Sequence, residues 1–402
     1  GLGDVYKRQQ VRFEDEELSD DWYQVSLTLE GNLGFADMVL TGSYFNRDMT
    51  YEADATDYQF DFDQKYDPTS VAAGYYYAAT IYDFTGAPRG YAVQDQEDDR
   101  WTVEGRLTTP ADSSSRWSGL VGFFYGKLER EQLFTSGIRN FSDTEYYANQ
   151  GYNYLTYLAN SPYYNPNYAT FHNTDTENWF FGAYDLDVEQ KAVFGEVTWA
   201  ATDKLSFTAG ARWFDHEEDF KLQQGDLLEG NSVDEKRDYL YNNEKTNYSE
   251  DDWVPKFNVT YQINDDVMTY GTYSEGFRSG GTNSLRASSI LPKTYDSDKL
   301  KNYELGLKSE WFDSSLRFNA VAYHMQWDDM QIQVNDPTIF SLGIINFSEA
   351  EIDGFEAEVT WIPASGWDVS ANIAYINAEI SEDNEIFTDD GQLIASVDNG
   401  TQ

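Results

Sequence analysis

Period-two alternation, written in paired runs joined by short turns, constrains this chain more than any other feature. In the run Leu205 to Trp213, Leu205, Phe207, Ala209, Ala211 and Trp213 share one face. Ser206, Thr208, Gly210 and Arg212 share the other. Tyr23, Val25, Leu27 and Leu29 likewise oppose Gln24, Ser26, Thr28 and Glu30, and Phe257, Val259, Tyr261 and Ile263 oppose Lys256, Asn258, Thr260 and Gln262. Such alternation is the signature of β-strands with one apolar and one polar face. The runs are about ten residues long, which at roughly 3.3 Å per residue and a 45° tilt spans about 25 Å, the height of an outer-membrane apolar band. Strands of soluble sheets are about half as long.

Six hairpins follow from the pattern: Trp22–Gly31 with Phe35–Asn46, Arg100–Thr108 with Arg116–Lys127, Ala192–Ala200 with Lys204–Asp215, Asp252–Ile263 with Asp266–Ser274, Lys301–Trp311 with Ser315–Trp327, and Ala350–Trp361 with Gly366–Glu379. Turn-forming residues join the partners, as in Thr202-Asp203, Asn264-Asp265, Asp313-Ser314 and Pro363 to Gly366. Tryptophan gives the strands a direction. Trp117, Trp199, Trp311, Trp361 and Trp367 lie near the short turns, whereas Trp22, Trp101, Trp213, Trp253 and Trp327 lie at the opposite strand ends. Two aromatic belts, one at each end of the strands, suit a barrel in lipid with short turns on one side and long loops on the other. The expected fold is therefore all-β, an antiparallel transmembrane β-barrel portion of about twelve strands over residues 22–380.

Composition agrees. Aromatic residues make up 17% of the chain, yet its mean hydropathy is −0.65. A barrel reconciles the two, because only its outer face is apolar. No run of eighteen apolar residues marks a transmembrane helix. The net charge of −44 excludes a nucleic-acid partner, which would need a basic surface. With no cysteine there is no disulfide, thiolate metal site or cysteine nucleophile.

Catalytic patterns are absent. His172, His216 and His324 stand far apart, and no metalloprotease pair, nucleophile elbow or phosphate loop occurs, so neither an enzyme nor a resident metal or cofactor is expected. The acidic runs Asp57, Asp61, Asp63 and Asp185, Asp187 lack the glycine and distal glutamate of a Ca²⁺ loop and read as solvated faces.

Between hairpins lie long polar stretches: 47–99, 128–190, 216–251, 275–299 and 328–349. Loops of that length usually carry function. The segment 128–190 is rich in aromatics: Tyr146, Tyr147, Tyr152, Tyr154, Tyr157, Tyr163, Tyr164, Tyr168 and Trp179 are candidate ligand-stacking residues, equally compatible with packing of the loop on itself. Residues 1–21 are poorly patterned and 381–402 read as part of a further loop; the first nine residues fit a sequence-assembly artefact and show no signal-peptide pattern.

Four segments carry a family resemblance. They are Val193 to Trp199 with Leu205 to Trp213; Tyr270 to Asn283, with Gly276, Phe277, Arg278, Ser279, Gly280 and Gly281 at its centre; Asn302 to Ser309, with Glu304 and Gly306; and Ile352 to Glu358, with Gly354 and Glu356. In this order they resemble the barrel half of TonB-dependent outer-membrane receptors. The resemblance implies a 22-stranded barrel in the bacterial outer membrane, plugged by an N-terminal domain. It implies import of a large, scarce ligand, most often a ferric siderophore, driven by the TonB complex acting on the plug. Neither the plug nor the TonB-contacting box is found here, and the six hairpins supply only about twelve of the 22 strands, so the sheet is expected to be open, incomplete at both ends, with exposed edges. Two alternatives are a passive porin-like channel and a secreted, soluble carbohydrate-active β protein.

Overall fold

The computed structural model describes residues 15–55, 90–110, 113–138, 178–226, 242–284, 289–336, 341–381, 384–387 and 393–397. Its strands are β1 (Glu17–Asn32), β2 (Asp37–Asp54), β3 (Gly90–Thr108), β4 (Trp117–Ile138), β5 (Asn178–Ala200), β6 (Leu205–Asp226), β7 (Asn242–Asn264), β8 (Val267–Arg278), β9 (Gly281–Thr282), β10 (Thr294–Tyr295), β11 (Asp298–Trp311), β12 (Leu316–Asp328), β13 (Gln331–Asp336), β14 (Ser341–Asn346), β15 (Ala350–Trp361), β16 (Val369–Ile380), β17 (Asn384–Phe387) and β18 (Leu393–Val397). Twelve of them form one sheet in the order β1-β2-β3-β4-β5-β6-β7-β8-β11-β12-β15-β16, while β9/β10, β13/β14 and β17/β18 are separate two-stranded ribbons. All the strand pairs of the large sheet are antiparallel, and each joins strands that follow one another along the chain, apart from the ribbons β9/β10 and β13/β14 that intervene between β8 and β11 and between β12 and β15. The sheet does not close on itself: β1 and β16 are its two edges.

The outer face is apolar. Val25, Leu27, Val103, Val121, Phe123, Val193, Val197, Val259, Leu305 and Ile373 are all exposed on it. In a water-soluble sheet this contiguous apolar surface would have to be covered. In lipid it is the solvent-facing side. Trp22, Trp101, Trp117, Trp199, Trp253, Trp311, Trp361 and Trp367 are exposed too. Trp117 and Trp199 face one another across β4 and β5 with stacked rings 5.6 Å apart, and Trp199 stacks on Phe207 at 5.9 Å. At the other end Trp213 and Trp253 are register partners, and Trp101 lies 4.4 Å from Tyr44.

The strands are longer than their alternation suggested. β5 and β7 have 23 residues each, and β4 and β6 have 22. From Ile263 to Trp253 a strand rises about 23 Å at the tilt of a barrel. Above Trp253, β7 continues to Asn242, about as far again. The stretches read as loops at 47–54, 90–99, 128–138, 178–190, 216–226 and 242–251 are thus strand. The reason is physical: beyond the lipid both faces meet water, so alternation fades while the backbone ladder persists. β1 likewise starts at Glu17 rather than Trp22.

On the inner face, two of the motif segments lock strand register by the same device. Tyr270 on β8 is the register partner of Gly306 on β11, and Tyr323 on β12 that of Gly354 on β15. A Cβ on Gly306 would lie 2.2 Å from the Tyr270 ring, and one on Gly354 2.0 Å from the Tyr323 ring. Each ring therefore lies across a glycine that has no side chain to displace it. The Tyr270 hydroxyl donates to Glu304 at 2.6 Å, two residues from its glycine. Glu356 stands two residues from Gly354, as Glu304 does from Gly306.

Candidate functional site

The upper extensions of β3 to β7 form the inner wall of the mouth on the long-loop side. Because odd residues of these strands face outward, even ones line the wall. Asp98 on β3 is only 4% exposed. It accepts from Arg130 Nε at 2.5 Å and Nη2 at 3.1 Å, and from Gln96 Nε2 at 3.0 Å. Beside it, Tyr184 on β5 donates to Gln132 on β4, and its ring packs 5.6 Å from Phe220 on β6. Burial pushes the Tyr184 hydroxyl up from its ordinary pKa. Phe214, Phe220 and Leu222 are buried on the same face. His216 is 7% exposed and neither ring nitrogen has a hydrogen-bond partner among the described residues. Its register partner is Glu250 on β7.

The motif segment leaves β8 and folds in against this wall. Pro255 has no N–H to give, and the β7–β8 ladder stops one residue short of it, at Lys256 with Ser274. The top of β8 is then free to lean inward, and Phe277 stacks on Phe214 with ring centres 3.9 Å apart. Arg278 binds Asp298 through its backbone N at 3.3 Å and its guanidinium, with Nε at 2.9 Å from Oδ2. Asp298, 2% exposed, also accepts from the Trp327 indole at 2.9 Å and Gln331 N at 3.1 Å. Arg278 lies over the Trp327 ring at 5.0 Å. Burial works against the charged form of Asp298, but the donors from Arg278, Gln331 and Trp327 outweigh it and hold the carboxyl below its ordinary range. Gln331 further donates to the Ser279 carbonyl at 3.0 Å. Gly280 N donates to Glu250 at 3.2 Å, and Gly281 pairs with Tyr295.

This arrangement brings Gly276 to Gly281 to the mouth, while Glu304, Gly306, Gly354 and Glu356 sit lower in the wall. Trp22 and Trp327 take a different place from the other belt tryptophans: by strand parity both lie on the inner face, Trp22 with its ring 6.1 Å from Phe45 and Trp327 bound to Asp298. Trp213 keeps to the outer face with its indole 3.4 Å from Asp251. Tyr146, Tyr147, Tyr152, Tyr154, Tyr157, Tyr163, Tyr164 and Tyr168, with Asp57, Asp61, Asp63 and His172, lie outside the described residues, as does the side chain of Trp179 in β5. Asp185 is bound by Lys221 at 3.2 Å, and His324 lies 3.0 Å from Asp353. Among the described residues no group of three or more His, Asp or Glu is placed to hold a metal ion.

Gln96, Asp98, Arg130, Gln132, Tyr184 and His216 are wall residues that the sequence left in loops. Their segments, such as Gln94 to Asp99, Glu129 to Gln132 and Asp215 to Asp219, are poor in strand-forming residues and show no apolar alternation, so nothing local marked them as strand. Chemically, the mouth offers aromatic faces and many hydrogen-bond partners, several of its cations already neutralised by carboxylates. It suits non-covalent capture of a large polar ligand.

Comparison with known proteins places this architecture. Residues 5–399 match the family model described as TonB dependent receptor-like, beta-barrel. The pesticin receptor of Yersinia pestis is 27% identical over 199 residues, 50% of this chain and 27% of that protein. A probable TonB-dependent siderophore receptor, PiuA, of Acinetobacter baumannii is 21% identical over 225 residues, 54% of this chain and 28% of its own length. The match thus spans about a quarter of the length of these curated relatives. Among solved structures, the ferric yersiniabactin uptake receptor FyuA of Yersinia pestis aligns with a TM-score of 0.62 at 15% identity, over 91% of this chain and 44% of that one. The siderophore receptor PiuA aligns with a TM-score of 0.58 at 14% identity, over 96% and 50%. At such identity the structural likeness speaks for the fold. With the family model covering nearly the whole chain, this protein belongs to the TonB-dependent receptor β-barrel family, whose members are transport receptors and not enzymes.

Proposed function

We propose that the chain is the barrel portion of an active-transport receptor of the bacterial outer membrane, which captures and imports a ferric siderophore. The observation that carries this reading is the division of the long strands β3 to β7 into an apolar band between tryptophan belts and a polar extension above it. Outer-membrane lipid surrounds the band, and the ligand meets the extension first. The names of the relatives, siderophore and pesticin receptors, support the iron-complex class of ligand. Energy would come from the TonB complex, through the plug domain that such receptors carry. Family membership favours this reading over a passive porin or a soluble carbohydrate-active protein.

The test is uptake of radioactive iron, supplied as the complexes in iron-starved spent medium, by cells with and without the intact gene. Uptake lost on deletion, and expression induced by iron starvation, are the expected results. Unchanged uptake together with no induction would turn the reading toward cobalamin or sugars. Recovery of the intact protein in the soluble fraction without detergent would remove the membrane assignment altogether.

A further inference from the structure

The described parts of two separate segments, 279–284 with 289–297 and 329–336 with 341–349, pack as one unit at the mouth. Leu291, Ile345 and Phe347 form a small buried core, with Ile332 and Val334 against it. The Asn283 side chain accepts from Ile344 N at 2.7 Å and donates back to the Ile344 carbonyl at 2.7 Å. Asp336, 0% exposed, accepts from the Ser289 hydroxyl at 2.7 Å and Ile290 N at 3.0 Å. The Arg278–Asp298–Trp327 cluster holds one side of this unit to the top of β11 and β12.

The other side meets the inner wall of β6 and β7, where no strand ladder is available because that of β7 with β8 has ended. Two carboxylates take the place of a ladder. Glu250 accepts from Gly280 N at 3.2 Å, and Glu218 accepts from Thr282 N at 2.8 Å and from the Thr282 hydroxyl. Tyr248 fixes Glu250 in turn, donating to its second oxygen at 2.8 Å. The approach is close: a Cβ on Gly280 would lie 2.1 Å from the Tyr248 hydroxyl and 2.4 Å from the Tyr295 carbonyl. Buried backbone N–H groups need such acceptors, and those to carboxylates are the stronger kind.

We propose that Glu218 and Glu250 are positioning residues that clamp the two-loop unit to the inner wall and so set the width of the mouth on that side. The consequence for transport rests on the function proposed above; the clamp itself does not. What the clamp requires is an acceptor oxygen toward the loop at each position; the charge strengthens these bonds but does not replace the acceptor. Glutamine keeps an acceptor and alanine removes it, so the two substitutions separate positioning from charge and from general loss of folding.

The experiment is hydrogen–deuterium exchange of the peptide containing Gly280 to Thr282 in the intact receptor in detergent or outer-membrane vesicles, without ligand. In the Glu218→Ala/Glu250→Ala double variant, exchange there is expected to be faster by about tenfold or more, with the band strands unchanged. In Glu218→Gln/Glu250→Gln it is expected to lie closer to the parent rate than to that of the alanine variant. Parent-like exchange in the alanine variant would overturn the proposal, as would alanine-like exchange in the glutamine variant. Because no ligand is used, the result judges the clamp separately from the transport reading.

Discussion

Each long strand of this protein is two structures end to end. Between Trp253 and Ile263, β7 alternates apolar and polar residues, and its outer face needs lipid. From Asn242 to Asp252 the same strand carries polar residues on both faces and is held by side-chain pairs, such as Asn247 with Asp219 and Lys299 with Asp252. The lower half is specified by the hydrophobic effect acting on one face. The upper half is specified by backbone pairing and by individually weaker polar contacts. The same change should therefore have very different consequences in the two halves.

The largest expected difference comes from a charge placed in the band. Leu305 is 65% exposed on the outer face, and Leu305→Arg should cost about 2–4 kcal/mol and deplete the folded receptor from the outer membrane. Glu131→Arg, in the upper part of β4, should leave the folded yield within about twofold of the parent, since exposed polar sites tolerate exchange. Equal loss from both would erase the distinction between the halves.

Next comes the glycine–tyrosine lock. Gly354→Ala should destabilise by about 1–3 kcal/mol through overpacking against the Tyr323 ring. Urea unfolding of the purified barrel would measure it, and adding Tyr323→Ala should recover part of the loss. No recovery would mean that the ring is not what the new methyl group meets.

A similar or smaller effect is expected at Asp298. Asp298→Ala strands the Trp327 and Gln331 donors, but Arg278, 52% exposed, can turn to water. About 1–3 kcal/mol of local stability should be lost at the two-loop unit, read by exchange of its amides. The pH dependence has a fixed sign. Asp298 has a folded value below the ordinary 3.8, so its contribution is complete above that pH and is lost as pH falls through the folded value. Protection of the unit should thus be flat from pH 7 to 5 and decline only below pH 4. A decline already at pH 6 would point to another group.

Smaller still are the belts and the surface pairs. Trp117→Ala breaks one stacked pair with Trp199 and should cost about 0.5–1.5 kcal/mol beyond the area it uncovers. Lys221→Ala, at the exposed pair with Asp185, should change stability by about 0–1 kcal/mol. A surface pair that outweighed the tryptophan stack would reverse the order argued here.

What the sequence made legible follows the same division. All twelve sheet strands and their hairpin partners were readable, because lipid on one side forces alternation. The open sheet was readable from the number of hairpins. The extensions were not, since Gln94, Gln96 and Asp98 on β3 give no apolar signal although they lie in strand. Nor was the place of Trp327, whose ring is claimed by a buried Asp298 brought from another strand. The motif glycines were visible as motifs, but their tyrosine partners emerge only from register. At the mouth, Glu218, Glu250 and Gly280 are far apart in sequence, and nothing local announces their contact.

The central claim, that the outer face of this sheet lies in lipid only as high as the upper tryptophans, is tested most directly by single-cysteine scanning of β7 in the intact receptor in its membrane. Labels at Phe257, Val259, Tyr261 and Ile263 should be quenched by a lipid-soluble agent, and those at Asn258, Thr260 and Gln262 should not. Labels from Glu244 to Ser249 should show no lipid contact on either face. Lipid quenching without a period of two between residues 257 and 263, or quenching that continues above Trp253, would contradict the account.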